Sequence, residues 1–290
     1  MGSHVEDLKT MLRLLIADGN AREARASRKA QTGRTSSEDY ARVVSEIEPS
    51  AACELIYPAD ADVSLPAGVG LRDIDGLIYT GSTLRISDPV PAVARQIALM
   101  RAALSAGVSV FGSCWGLHVA TAACGGDVGP SDVASEYAFS RGIRRVGEGE
   151  THPLLVGRAA RWDAPAIHAD VVKAPPPNAT VLACNELVPV QALSVSAGDG
   201  MFWGTQYHPE LDLDALATML AASSDDVVKS SQAPDKAWVE HYARQISAVG
   251  EGTADAALMA ELEIGADLAT ATMRRIEVAN YLRLLMSARP

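Results

Sequence analysis

The feature that most constrains this chain is Gly112-Ser113-Cys114-Trp115-Gly116, set between the apolar run Val108-Ser109-Val110-Phe111 and a small-residue run from Leu117 to Cys124. A strand-length apolar segment, a G-x-C-x-G turn and a following helix have the layout of a nucleophile elbow: a buried strand ends, a sharp turn presents one side chain, and a helix begins. Glycine flanks such a turn because it is strained and because the strand and helix backbones approach closely. A thiol so placed lies at a helix N-terminus, where the dipole favours the thiolate, which is the nucleophilic form. The alternative reading of the pentapeptide alone is a core cysteine beside a tight strand-to-helix turn.

A second segment bears on that choice. Residues 202–210 read Phe-Trp-Gly-Thr-Gln-Tyr-His-Pro-Glu. A thiol nucleophile needs a base, and the base needs an acid to orient it. His208 and Glu210 are two apart, so in extended chain both side chains face one side, and Pro209 blocks a helix between them. An isolated His-x-Glu is usually a surface pair. Behind an apolar strand, in a chain that also carries a cysteine elbow, it points to Cys114 as nucleophile, His208 as base and Glu210 as orienting acid.

The surrounding pattern alternates strand and helix. Met11–Ala17, Cys53–Tyr57, Gly76–Tyr79 and Val108–Phe111 read as strands, and Val90–Ala106 as a helix. Ser36-Ser37-Glu38-Asp39 caps another helix of about ten residues. Such alternation predicts an open, mostly parallel, doubly wound α/β sheet, with ligand loops at the carboxyl ends of its strands. Gly142–Val146, Ala164–Ile167 and Val190–Val195 read as further strands leading to a Trp203–Tyr207 strand that carries the base. The stretch Ala21–Ser37, with Arg22, Arg25, Arg28, Lys29 and Arg34, reads as a solvated helix or loop. Lying in the first βα loop, on the ligand side, it has a flap as its alternative. Beyond Leu211 the chain is helical by period, clearest over 236–249, 254–263 and 266–286. This tail is expected to pack on the core; covering the site and forming a subunit contact are the other options.

The cysteine and histidine segments together resemble the class I, Cys-His-Glu triad, glutamine amidotransferases, over roughly residues 11–211. Further segments match in order: Asp75–Ser82 (DGLIYTGS), Glu148-Gly149 with His152-Pro153-Leu154-Leu155, His168-Ala169-Asp170, and Pro177–Ala183. The resemblance implies a flavodoxin-like catalytic domain at 10–211 with a helical extension at 212–290. It implies cleavage of the γ-amide of glutamine, or of an N-substituted glutamine, through a γ-glutamyl thioester. The backbone N–H groups of Ser82 and Trp115 would form an oxyanion hole, with Gly81 and His118 touching substrate. The family usually has Gln where this chain has His118, so plain glutamine competes with a bulkier γ-glutamyl amide as the expected substrate. Trp115 either lines the pocket with its indole or packs beneath the elbow. Glu136 is read as a surface acid rather than a partner of the substrate ammonium, and His168 and Asp170 as structural.

Three functions stay open: an ammonia-supplying glutaminase with a separate synthetase partner, a stand-alone γ-glutamyl amide hydrolase, and a non-catalytic regulatory subunit that keeps the fold. Intact Cys, His and Glu argue against the third. The 290 residues suit one large domain, or one with an appendage. A net charge of −11 argues against nucleic acid as a standing partner. Cys53, Cys114, Cys124 and Cys184 show no zinc spacing, and three of them look like buried residues of apolar segments, which suits the cytoplasm. No signal peptide or apolar run of about 18 residues is read, so no membrane is expected. No phosphate loop, dinucleotide fingerprint or ligand cluster is present in the sequence, so neither cofactor nor metal is expected. A homo-oligomer is left open. Met1-Gly2-Ser3-His4 is read as an expression remnant.

Overall fold

In the computed structural model, which describes residues 11–62 and 64–289, strand β1 (Arg13–Ala17) shows how the sheet is layered. Leu14 and Ile16 enter one apolar core, and Leu15 and Ala17 the other. That period of two, with both faces apolar, is what a sheet covered on both sides requires. The Met1–His4 segment and Thr10, the first residue of the expected catalytic domain, lie outside the described residues.

The nine-stranded sheet has the order β2-β1-β3-β4-β11-β10-β9-β6-β7. Its other strands are β2 (Ala52–Ile56), β3 (Gly76–Tyr79), β4 (Ser109–Ser113), β6 (Glu136–Arg145), β7 (Arg161–His168), β9 (Ala179–Cys184), β10 (Ala192–Ala197) and β11 (Gly200–Thr205). The pairings from β2 to β11 are parallel and those from β11 to β7 antiparallel, so seven strands run one way and β10 and β6 the other. β5 (Asp127–Pro130) and β8 (Asp170–Ala174), neither foreseen from the sequence, form a separate antiparallel ribbon.

Helices α1 (Arg22–Thr32) and α2 (Ser36–Ile47) follow β1, α3 (Pro91–Ser105) precedes β4, and α4 (Trp115–Ala123) follows it. Beyond β11 come α5 (Leu213–Ala222), α6 (Ser224–Lys229), α7 (Lys236–Gly250), three short helical segments, and α8 (Ile276–Ser287). One face of the sheet is covered by α2, through Tyr40, Val43 and Val44, and by α8, through Val278, Tyr281, Leu282 and Leu285. The opposite face is covered by α3 and α4. The tail thus supplies part of the main core. A third core, built mainly from α5, α7 and the segment around Leu268, closes on Ala138 and Phe139 of β6.

Several boundaries differ from expectation for identifiable reasons. The cap of α2 is Thr35: its side chain accepts from the Glu38 N–H, and Glu38 accepts from the Thr35 N–H. β11 stops at Thr205, whose hydroxyl turns back to donate to the Tyr207 carbonyl at 2.8 Å. The helix expected over 266–286 is interrupted where Thr270 is extended, with φ −96° and ψ 120°. Of the four cysteines, which are all free, only Cys114 is buried. Among the described residues no helix is long and apolar enough to cross a membrane.

Candidate active site

β4 ends at Ser113 and α4 begins at Trp115, leaving Cys114 on the turn with φ 49° and ψ −99°. Strain therefore falls on the cysteine itself, at a cost of about 1–3 kcal/mol that the packed surroundings must hold in place. The flanking glycines answer to close approach. A Cβ on Gly112 would stand 2.9 Å from the Gly116 Cα, and one on Gly116 would stand 2.8 Å from the Tyr79 carbonyl oxygen. Trp115 is the first residue of α4, so its N–H has no acceptor within the helix. The N–H of Ser82, in the loop after β3, likewise makes no hydrogen bond among the described residues.

β11 pairs with β4 in a register that sets Thr205 beside Ser113, and the Cys114 N–H donates to the Thr205 carbonyl at 2.7 Å. The loop after β11 is thereby delivered over the elbow. The His208 N–H donates to the Pro165 carbonyl at 2.8 Å, and a Cβ on Gly81 would stand 2.7 Å from the His208 ring, so only glycine leaves the imidazole room.

His208 Nδ1 donates to Glu210 Oε1 at 2.7 Å. Two hydroxyls complete the carboxylate's shell: Tyr40 donates to Oε2 at 2.9 Å and Ser113 donates to Oε1 at 3.1 Å. The Tyr40 and Ser113 oxygens are themselves 2.7 Å apart. Burial disfavours the His208 imidazolium, yet the Glu210 charge and the nearby Cys114 thiol outweigh it and push its pKa up to about 10. Burial likewise opposes ionisation of Glu210, but His208 and the hydrogen bonds hold that carboxyl below its usual range. His208 Nε2, the nitrogen remote from Glu210, is buried and has no hydrogen-bond partner within bonding distance among the described residues, though the Cys114 thiol is close enough to act on the ring. A thiol at a helix start, an imidazole held by a carboxylate and two free N–H groups nearby can, as a set, attack an acyl carbon and stabilise an oxyanion.

Cys114, His208 and Glu210 line one cleft of about 450 Å³, within the range of small-molecule sites. Gly81, Ser82 and His118 line it too. Trp115 packs beneath the elbow instead, with its indole N–H donating to Gln96 Oε1 at 2.8 Å. His118 Nε2 meets Gln206 Oε1 at 2.9 Å. Burial lowers the His118 pKa to about 4, against the opposing pull of Gln206, so the ring is neutral near pH 7.

One expectation needs correction. Glu136 is no surface acid: it is buried, and it accepts from His168 Nε2 at 2.9 Å, Asn185 at 2.6 Å and Gln191 at 2.8 Å. Antiparallel pairing of β6 with β7 sets Glu136 opposite His168, a placement invisible over 32 residues of sequence. The basic stretch is, as expected, a largely solvated helix, α1, in which Arg25 is buried; it also lines the cleft, and its Arg25 and Arg28 are bound to Asp60 and Asp39.

Other residues at the site escaped the sequence reading. Tyr40 shares its i, i+3, i+4 stripe with Val43 and Val44, which reads as plain core. Asn20 ties the β1 loop to the oxyanion loop by donating to the Gly81 carbonyl and accepting from the Thr83 N–H. From the tail, Glu277 accepts from Tyr207, the neighbour of His208, at 2.8 Å and pairs with buried Arg158 at 2.7 Å.

A family model described as glutamine amidotransferase class-I matches residues 56–224. A γ-glutamyl-L-1-hydroxyisopropylamide hydrolase of a Pseudomonas species is 33% identical over 280 residues, 93% of this chain and 92% of that protein. A glutamine-hydrolysing GMP synthase of Thermomicrobium roseum is 30% identical over 169 residues, which is 58% of this chain but 28% of that longer protein. The fold resembles that of a glutamine amidotransferase from Thermotoga maritima, with a TM-score of 0.63 at 14% identity, covering 96% of this chain and 99% of that one.

Proposed function

Because the chain belongs to the class I glutamine amidotransferase family, we propose that it is a cysteine-dependent hydrolase that acts by itself on γ-glutamyl amides. Cys114 gives its thiol proton to His208 Nε2 and its Sγ attacks the γ-carbonyl carbon, and the oxyanion is taken by the N–H groups of Ser82 and Trp115, worth about 3 kcal/mol per donor. The C–N bond breaks as His208 Nε2 gives its proton to the leaving nitrogen. Glu210 holds the imidazole in place and favours its charged form. The γ-glutamyl thioester is then hydrolysed by water, which passes a proton back to His208, so glutamate and an amine leave and the thiol is restored. Gly81 leaves space for the imidazole, and His118 meets the substrate as a neutral ring.

The observation that carries this reading is the 33% identity to a γ-glutamyl amide hydrolase over nearly the full length of both chains, including the helices after Leu211. The likeness to a glutamine-hydrolysing GMP synthase covers under a third of that protein, and supply of ammonia to a separate synthetase is the second reading. We keep the division into a catalytic unit at 10–211 and an extension at 212–290, since every matched motif precedes Leu211. Four free cysteines suit a reducing cytoplasm. The test is to incubate the protein with glutamine and a panel of N-substituted γ-glutamyl amides and to follow glutamate and amine by mass spectrometry. Release of glutamate from none of them would end the hydrolase reading.

A further inference from the structure

The cleft reaches well past the thiol and imidazole. From Cys114 it runs between α1 and the corner joining α5 to α6, where Ala24, Ser27, Met219, Ala222 and Ser223 line it. Free glutamine releases only ammonia and has no use for a pocket on the leaving-group side. We propose that this arm is the binding site for the leaving amine and selects a small, uncharged alkylamine bearing a hydroxyl group. The inference rests on the hydrolase reading.

Three observations carry it. The first is direction. His208 must reach the nitrogen that it protonates, so the substituent on that nitrogen emerges beside His208. The chain running on from His208 passes Glu210 and Leu211 and enters α5, the helix that carries Met219 and Ala222. Residues 82–85 of the loop after β3, with Arg85 paired to Asp170, also line the cleft and are left for the glutamyl part.

The second is chemistry. Ala24, Met219 and Ala222 offer methyl and thioether surface, while Ser27 and Ser223 offer hydroxyls that can pair with one polar group. The cation nearest this wall, Arg28, is already bound to Asp39 at 2.8 Å and lies against the Met219 sulfur. Asp39 neutralises the Arg28 charge, which disfavours an anionic substituent, although the buried Arg28 Nε has no hydrogen-bond partner among the described residues. Asp226 lines only the rim, with its side chain 68% exposed, so its charge is screened by water.

The third is the source of the walls. One is the first βα segment and the other comes from beyond the last matched motif. Both lie outside the elbow and base loop, so they can vary without disturbing the thiol chemistry, which is where substrate selection is expected to sit.

The test compares kcat/KM for glutamine, γ-glutamyl isopropylamide, γ-glutamyl 1-hydroxyisopropylamide and a γ-glutamyl diamine. In the wild-type protein the hydroxyisopropylamide should be preferred. Ala222→Phe, on the exposed end of α5, and Ala24→Phe, on α1, should each lower the ratio of alkylamide to glutamine turnover by about tenfold or more, the scale of a pocket contact. Ser27→Ala combined with Ser223→Ala should narrow the preference for the hydroxylated amide over isopropylamide. Parallel loss on all substrates, or an unchanged ratio in both Phe variants, overturns the amine site. A preference for the diamine would give selection to Asp226 and overturn the uncharged class. A wild-type protein that cleaves glutamine alone overturns the amine site but not the thiol chemistry, whereas one that cleaves nothing ends the hydrolase reading itself.

Discussion

Two buried histidine–carboxylate pairs each present a histidine to the same cleft, and they differ in what surrounds them. His208 and Glu210 meet at 2.7 Å, His168 and Glu136 at 2.9 Å. The first pair stands over a strained cysteine at a helix start, with two hydroxyls on its carboxylate. The second has amide groups from Asn185 and Gln191 and the Ser140 hydroxyl on its carboxylate, and its free nitrogen, Nδ1, has no partner. Among the described residues, no nucleophilic side chain is hydrogen-bonded to that nitrogen. A histidine held by a carboxylate is therefore not chemistry by itself. It becomes a candidate base only when topology brings a nucleophile to its free nitrogen, as the β4–β11 register does for His208.

The strongest way to break this contrast is Cys114→Ala. Turnover should fall by a factor on the order of 10⁶ while circular dichroism stays unchanged. Appreciable residual glutamate release would show that a group other than the elbow thiol, the second pair included, performs the attack.

Next in size is Glu210→Gln, with a loss of about 10³–10⁴ in kcat. The pH profile should move with it. The imidazolium that protonates the leaving amine exists below its pKa and is lost as pH rises through it, so the wild-type alkaline limb lies near pH 10. With the Glu210 charge gone, burial is opposed only by the nearby Cys114 thiol, and the limb should fall well below pH 10. A limb that does not move would mean that Glu210 does not govern His208.

Glu136→Gln is the mirror experiment. Breaking the second pair should cost stability, on the order of 3 kcal/mol in urea unfolding, with much less loss of turnover per folded molecule than Glu210→Gln causes. If the folded variant loses turnover as deeply as Glu210→Gln, the second pair takes part in the reaction and the contrast fails.

Tyr40→Phe removes one O–H donor from Glu210, a bond to a charged group worth about 1.5–3 kcal/mol. The carboxylate left with fewer donors is more basic and holds the His208 proton more tightly. The alkaline limb should therefore rise, opposite in sign to Glu210→Gln, and titration of kcat/KM above pH 9 reads this directly.

The smallest expected effect is that of His118→Gln, about tenfold in the ratio of glutamine to N-substituted amide turnover, in favour of glutamine. An unchanged ratio would make His118, neutral and bound to Gln206, a structural residue.

Legibility followed the range of the interactions. The elbow was readable because strand, turn and helix are contiguous and because Gly112 is demanded by the close approach of Gly116, although Gly116 itself answers to Tyr79 on another strand. His208 and Glu210 were readable because they are two residues apart. Glu136 was misread because its partners lie 32, 49 and 55 residues away, on three other segments. Tyr40 was hidden by its company: a helix residue among valines is indistinguishable from core until its hydroxyl is seen on Glu210, 170 residues later. The tail was legible as helices, but not as a wall of the cleft or as the holder of Tyr207 through Glu277.

The sequence by itself determined the alternation of strand and helix, the glycine-bracketed cysteine and the spacing of His208 and Glu210, because hydrophobic period and turn chemistry act over a few residues. Only the tertiary structure decided that β11 lies beside β4, that α1 and α5 enclose one arm of the cleft, and that Glu136 is buried. Those outcomes depend on strand order and helix docking, set by burying apolar faces drawn from the whole chain, and no local window of sequence contains that information.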